Sequence, residues 1–162
     1  MPALLASADL GLADLLAQRL RVDSQIVRDA RVAMLYEGAN GVQALDLVGR
    51  KLVRDDGKVL ERFLASVESE CGEAPSELDA ISDRLREGVH EIREAALWLL
   101  SARDRPDDLG AGSYAFLQMI GVLAIGWMWL RMARIALPEA DDPFCGAKLA
   151  TARYYALHAL PQ

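Results

Sequence analysis

Leucine and isoleucine recur every seventh residue through the middle of this chain, at Leu78, Leu85, Ile92 and Leu99, and Ile81, Val89 and Ala96 widen that line into a broad stripe. A helix returns to the same face at this spacing, and a stripe wider than two positions per heptad suits a globular bundle rather than a two-stranded coiled coil. The pattern predicts a helix from Ser76 to about residue 102, broken by residues 103–106. Ser76 and Asp79, three apart, form a capping-box-like start.

Similar reasoning places the other elements. Leu60, Phe63, Leu64 and Val67 give an apolar face to a helix between the Asp55-Asp56-Gly57 turn and a loop at 72–75. Ahead of that turn, Val42, Leu45, Val48 and Leu52 form a stripe on a helix from Asn40 to about Arg54, with Asp46 and Arg50 paired four apart on its flank. Residues 23–36 read as a helix capped by Asp23 or Ser24 and ended by Gly38. Residues 4–20 carry leucines at helical spacing, interrupted by Gly11.

Downstream, residues 111–130 hold no charge and are followed at once by Arg131 and Arg134. By length this stretch suits a membrane span. By its small residues Gly121, Ala124 and Gly126 it equally suits a central bundle helix buried on most sides. Pro138 stops it, and Asp142-Pro143 opens a last helix, through about His158, with an N-cap and a proline at the first helical position.

The predicted fold is therefore all-α: a four-helix up-down bundle from about Lys58 to His158, preceded by two or three helices. The natural division falls at the Asp55 turn, giving units of residues 1–55 and 56–162. Composition agrees, since 162 residues that are 52% hydrophobic, with only three phenylalanines, favour a packed helical globule. The net charge of -6 comes from residues 55–94, which hold twelve acids against five bases. No basic cluster is large enough for nucleic acid.

Two cysteines, Cys71 and Cys145, make no disulfide framework, and with His90 and His158 far from both in sequence no metal site is expected. Reduced thiols point to the cytoplasm. The apolar start carries Asp9 and Asp14 and no basic leader, so secretion is not expected. Asp104, Asp107 and Asp108 read as helix-capping residues rather than a cation site.

The chemistry concentrates at Glu37, a lone carboxylate at a break between two helical patterns, with glycines at 38 and 41 that would let backbone approach a ligand. The helix start that follows offers unpaired N–H groups to an anion or carbonyl.

Arg28-Asp29-Ala30-Arg31, Tyr36-Glu37-Gly38, Asn40-Gly41, Gln43-Ala44 and the run from Asp46 to Leu52 together resemble the base motif of flavin-dependent acyl-CoA dehydrogenases. The second half is similar to the methylmercaptopropionyl-CoA dehydrogenase-like subgroup, which carries an extra helical C-terminal domain. That likeness rests on Tyr114, Phe116-Leu117, Gly121, Gly126-Trp127, Trp129, Arg131-Met132-Ala133 and the run from Lys148 to Tyr155.

The resemblance implies that Glu37 is the general base taking the α-proton of an acyl-CoA thioester while a β-hydride leaves to FAD, the oxidation step of fatty acid metabolism. It implies that Gly38 lies against the substrate and that Ala39, Asn40 and Gly41 approach the FAD. Ala39 departs from the family, which usually has Thr or Ser there to hydrogen-bond the cofactor. Arg28, Asp29 and Arg31 are read as structural. By the same resemblance residues 1–55 are a remnant of the dehydrogenase C-terminal helical domain and residues 56–162 are the extra bundle.

The uncharged helix is then a buried bundle helix, no membrane partner is expected, and Trp127, Trp129, Tyr154 and Tyr155 are core aromatics. With no glycine-rich flavin loop visible ahead of the motif, the chain alone is expected to be inactive. Its expected partners are further copies of itself or a complementary dehydrogenase chain. The other reading of the sequence is a stand-alone helical interaction module that self-associates without catalysis, and a third is a single-span membrane protein.

Overall fold

The predicted Asp142 cap is formed: its carboxylate accepts hydrogen bonds from the backbone N–H groups of Phe144 and Cys145, at 2.9 and 3.0 Å, with Pro143 opening the helix. The computed structural model describes Gln25 and residues 39–161. The predicted helices over 4–20 and 23–36 lie outside the described residues, apart from Gln25, which is helical.

Five α-helices follow in order among the described residues, with no strand: α1 (Asn40–Leu45), α2 (Lys58–Gly72), α3 (Asp79–Ser101), α4 (Pro106–Ala136) and α5 (Pro143–His158). A π-helical segment, Asp46–Leu52, continues α1, and short 3-10 turns at Ser76–Leu78 and Leu137–Glu139 precede α3 and follow α4. The chain divides into the compact units Met1–Asn40 and Gly41–Gln162. The boundary placed at residue 55 from the sequence falls within the second.

Cross-helix contacts fix an up-down arrangement. Arg103 pairs with Asp56, Arg93 with Glu61 and Glu68, and Arg86 donates to the Cys71 carbonyl, so α3 descends as α2 rises. Likewise Leu99 packs at Gly112 and Leu85 at Gly126, making α4 antiparallel to α3. Tyr155 donates to the Val122 carbonyl at 3.1 Å and Lys148 lies 5.6 Å from the Trp129 ring, which reverses α5 against α4.

All seven residues of the sequence stripe, Leu78 to Leu99, are buried and form the centre of the core with Leu64, Val67, Phe116, Leu123 and Leu130. The entrance to α3 differs from the expected capping box. Ser76 starts a 3-10 turn, its hydroxyl turns to Glu77, and no side chain caps α3 at Leu78. Pro75 ahead of Ser76 holds extended backbone, and the tighter turn delivers Leu78 into the core.

At the corner before α2, Asp56 and Gly57 both adopt left-handed backbone, with φ of 53° and 75°. Asp55 compensates with its carboxylate, which accepts from the N–H groups of Gly57 and Val59 at 3.1 and 3.0 Å. These are donors that the first turn of α2 would otherwise leave unpaired.

The largest departure concerns α4, which is not buried on most sides. Together with the following turn it is long and apolar enough to cross a membrane, yet only 22% of its most apolar 18-residue stretch is buried in the bundle. One face packs on α3 and α5, and the opposite face, with Tyr114, Ile125 and Met128, is open. Periodicity cannot distinguish these cases, because the helix is apolar all round.

Candidate functional site

Ala39 begins the described stretch next to the motif, and α1 opens at Asn40. From Asp46 the helix widens: Val53 N–H bonds to the Val48 carbonyl, five residues back, at 3.0 Å. Widening of this kind rotates the side chains, so Ala44, Val48 and Leu52 face inward. Val42 and Leu45, expected on the buried stripe, are 68% and 55% exposed. The π-segment packs against α2, α3 and α4, so the bundle anchors the helix that leads away from Glu37.

Asp46 holds the outer side of this segment as predicted and adds a second cation. Arg50 Nε lies 3.0 Å from its Oδ1 and Lys51 Nζ 3.3 Å from its Oδ2. The extra partner, five residues on, follows from the π geometry.

Glu37 and Gly38 lie outside the described residues, as do Arg28, Asp29 and Arg31. Ala39 and Asn40 are half-buried, and Gly41 is exposed with open space where a Cβ would stand. Ala39, Asn40 and Gly41 therefore form an open helix start and no walled flavin pocket, so among the described residues the fit to FAD is absent. The sequence brings the motif residues together by adjacency alone.

A feature the sequence did not signal lies at the other end of the same segment. Leu47 and Leu52 of the π-helix, Leu60 and Phe63 of α2, and Phe116 and Ile120 of α4 line a cavity of about 600 Å³. Arg50, Lys51, Arg54 and Asp55 lie around it. Its size suits a small organic group, and its apolar lining gives a hydrophobic chain a dry surface. Only the tertiary fold joins these three elements, and no spacing in the sequence marks them.

The aromatic residues divide into three settings. Trp127 is half-buried, meets Phe63 edge-on at 5.8 Å and carries the Arg131 guanidinium 5.3 Å from its ring, while Trp129 packs beside the core. Tyr155 is held by its hydrogen bond to Val122, and burial pushes its phenol above the ordinary value. Tyr154 departs from expectation: it is 65% exposed, with its ring 4.7 Å from His158 on the surface of α5.

Other titratable groups serve structure. Arg93 joins Glu61 and Glu68 with bonds of 2.6 and 2.7 Å, and its hydrogen bonds hold the Glu68 carboxyl below its ordinary value. Cys71 lies buried in the last turn of α2, and desolvation pushes its thiol up to about 11. His90 is exposed, 3.5 Å from Glu94. No group of three metal-binding side chains occurs among the described residues. Asp107 and Asp108 occupy the first turn of α4 without capping it, and Asp108 pairs with Arg105 at 3.2 Å.

Comparison with known proteins covers both halves. A family described as acetyl-CoA dehydrogenase C-terminal like matches residues 62–162. The 3-methylmercaptopropionyl-CoA dehydrogenase of Ruegeria pomeroyi is 37% identical over 145 residues, covering 85% of this chain and 25% of its own length. The broad-specificity linear acyl-CoA dehydrogenase FadE5 of Mycobacterium tuberculosis is 31% identical over 153 residues, with the same two shares. The chain thus spans about a quarter of the length of these relatives. Both similarities cover more of it than the family match does, so they reach into the residues before Arg62.

Proposed function

This chain belongs to the acetyl-CoA dehydrogenase C-terminal-like family, and from that we propose that it forms the C-terminal portion of an FAD-dependent acyl-CoA dehydrogenase, with Glu37 as the general base. The observation that carries this is the reach of the two relatives' similarity beyond the bundle, into the segment ahead of Arg62. The bundle's part is mechanical. It clamps the π-segment through Val48 and Leu52, and so fixes the helix that starts three residues after Glu37.

The chemistry accounts for the residue type. An α-proton of a thioester is weakly acidic, and a carboxylate strong enough to take it must be desolvated by bound substrate, which raises its pKa. Glu37 fills that role beside an acyl-CoA held against Gly38. In the complete enzyme Ala39, Asn40 and Gly41 would border the FAD, whose walls the described residues do not supply. The chain is accordingly inactive by itself and acts in the cytoplasm, within an oligomer or beside a complementary dehydrogenase chain.

Visible absorbance during titration with FAD tests this directly. The chain alone should leave the flavin spectrum unchanged. Combined with a polypeptide that supplies the other flavin-binding domains, it should support acyl-CoA-dependent bleaching. Glu37→Gln should slow that bleaching by roughly 10²- to 10⁴-fold, the usual worth of a positioned base. Bleaching at the same rate in Glu37→Gln would refute the assignment. The interaction-module reading is favoured by one observation, the open apolar face of α4, and predicts association with no flavin effect at all.

A further inference from the structure

The proposed reaction makes no use of the cavity between the π-segment, α2 and α4, and its lining is divided in two. The interior is apolar, with Leu52 and Phe116 only 3% and 2% exposed and Leu60, Phe63 and Ile120 half-buried beside them. Every charged residue of the lining belongs to one stretch of chain, residues 50–55. Arg50, Lys51 and Arg54 stand there within five positions and with no acid among them, in a chain whose net charge is -6.

The protein neutralises these cations only in part. Arg50 and Lys51 share the single carboxylate of Asp46, at 3.0 and 3.3 Å, and the Arg54 guanidinium has no ion pair among the described residues. The Arg50 and Lys51 side chains are 82% and 66% exposed, which puts their charge at the mouth. Asp55, the one acid of the lining, is turned to the N–H groups of Gly57 and Val59. An excess of positive charge therefore stands in front of a dry interior, an arrangement that draws an anion with an apolar body.

We infer that this cavity is a binding site for a free medium-chain alkyl carboxylate, with its chain in the apolar interior and its carboxylate at Arg50, Lys51 and Arg54. The volume of about 600 Å³ is that of a small-molecule site. A helix is about 10–12 Å across and rises about 5.4 Å per turn, so little more than one turn of a protein segment would fit. A sugar or nucleobase would find no polar side chain beyond the mouth and would leave its own donors unpaired. The cations also require charge at the end of the chain itself, where a thioester presents a neutral carbonyl. The planar guanidinium fork of Arg54 matches a carboxylate.

The inference is independent of flavin and of Glu37, and calorimetric titration of the purified chain with decanoate at neutral pH and low salt tests it. Decanoate should bind one to one and about 80-fold more tightly than hexanoate, roughly threefold for each of four buried methylenes. Decyltrimethylammonium, with the same chain and the opposite charge, should bind at least about tenfold more weakly. Arg54→Glu, at an exposed position, should weaken decanoate binding at least about fivefold and reduce its salt dependence. Arg153→Glu, the same change of charge at an exposed position on α5, should leave binding unchanged. With decanoate bound, amide hydrogen exchange should slow in residues 46–63 and 116–120.

Equal affinity for decanoate and decyltrimethylammonium, or equal weakening by Arg54→Glu and Arg153→Glu, would overturn the inference in favour of unspecific apolar partition. Exchange protection confined to the open face of α4 would overturn it too. So would decanoyl-CoA binding without decanoate binding, which assigns the cavity to the thioester, or flotation with anionic vesicles without decanoate binding, which assigns the cations to a lipid surface. Neither heat nor protection with decanoate in large excess would likewise refute it.

Discussion

Leu85 and Gly126 meet across the interface of α3 and α4, and their fit makes a quantitative prediction. Leu85 is fully buried, and its Cδ2 lies 3.1 Å from where a Cβ at Gly126 would stand, with Leu160 Cδ1 at 3.0 Å from the same point. Leu85→Ala should cost roughly 3 kcal/mol, in the lower part of the range for buried leucines, because the partly buried Leu160 side chain, which meets the same glycine, can relax into the space.

Gly126→Ala by itself should be near neutral or slightly destabilising. It gains about 1 kcal/mol of helix propensity and loses about 1 to 2 kcal/mol by crowding Leu85 and Leu160. With Leu85 already shortened, half of that crowding is gone and the new methyl fills part of the cavity. Gly126→Ala should then stabilise by about 1 kcal/mol, so the two changes couple by about 1 to 2 kcal/mol.

Urea unfolding of the four proteins, followed by circular dichroism at constant m, measures this cycle. Additivity within about 0.5 kcal/mol would show that the close approach of α3 and α4 at this point is not what determines stability, and would refute the reasoning.

The Arg93 clasp gives a pH-dependent prediction. Arg93→Ala should destabilise by about 1 to 2 kcal/mol near neutral pH, a modest figure because Glu61 and Glu68 are 57% and 40% exposed. Glu68 has its pKa lowered in the folded state, so its contribution is present above the ordinary carboxylate value of 4.5 and fades as pH falls through the lower folded value. The gap between wild type and Arg93→Ala, read from urea midpoints, should close on acidification; a gap that widens would contradict the assignment. For the thiols, a disulfide reagent near pH 8 should modify Cys145 first and reach Cys71 only on unfolding, since Cys71 is 2% exposed and its thiol titrates at about 11. Equal rates for both in the folded protein would count against the burial of Cys71.

Much of the architecture is written in local signals. The heptad positions from Leu78 to Leu99 fix the buried face of α3, and Asp142-Pro143 fixes the start of α5, because periodicity and capping act within a few residues. The π-segment is not legible in this way. The stripe through Val42 and Leu45 is as regular as that of α3, and only packing of Val48 and Leu52 against α2, α3 and α4 selects the wider helix. The apolar cavity is invisible for the same reason, as Phe63 and Phe116 lie 53 residues apart in sequence. The motif at Glu37 is legible only by resemblance, since a glutamate beside a glycine has no spacing that compels chemistry.

The connections of the bundle are short: residues 73–78 join α2 to α3, 102–105 join α3 to α4, and 137–142 join α4 to α5. Each helix therefore finds its neighbour without closing a long loop, which places the domain among the fast, locally wired folders of the microsecond-to-millisecond class. α3 packs against α2, α4 and α5 alike, so it is the element whose formation rewards every later step. Substitutions along its buried line should slow the approach to the native state, whereas changes in the open face of α4 should leave folding rates alone and act only after the bundle has formed.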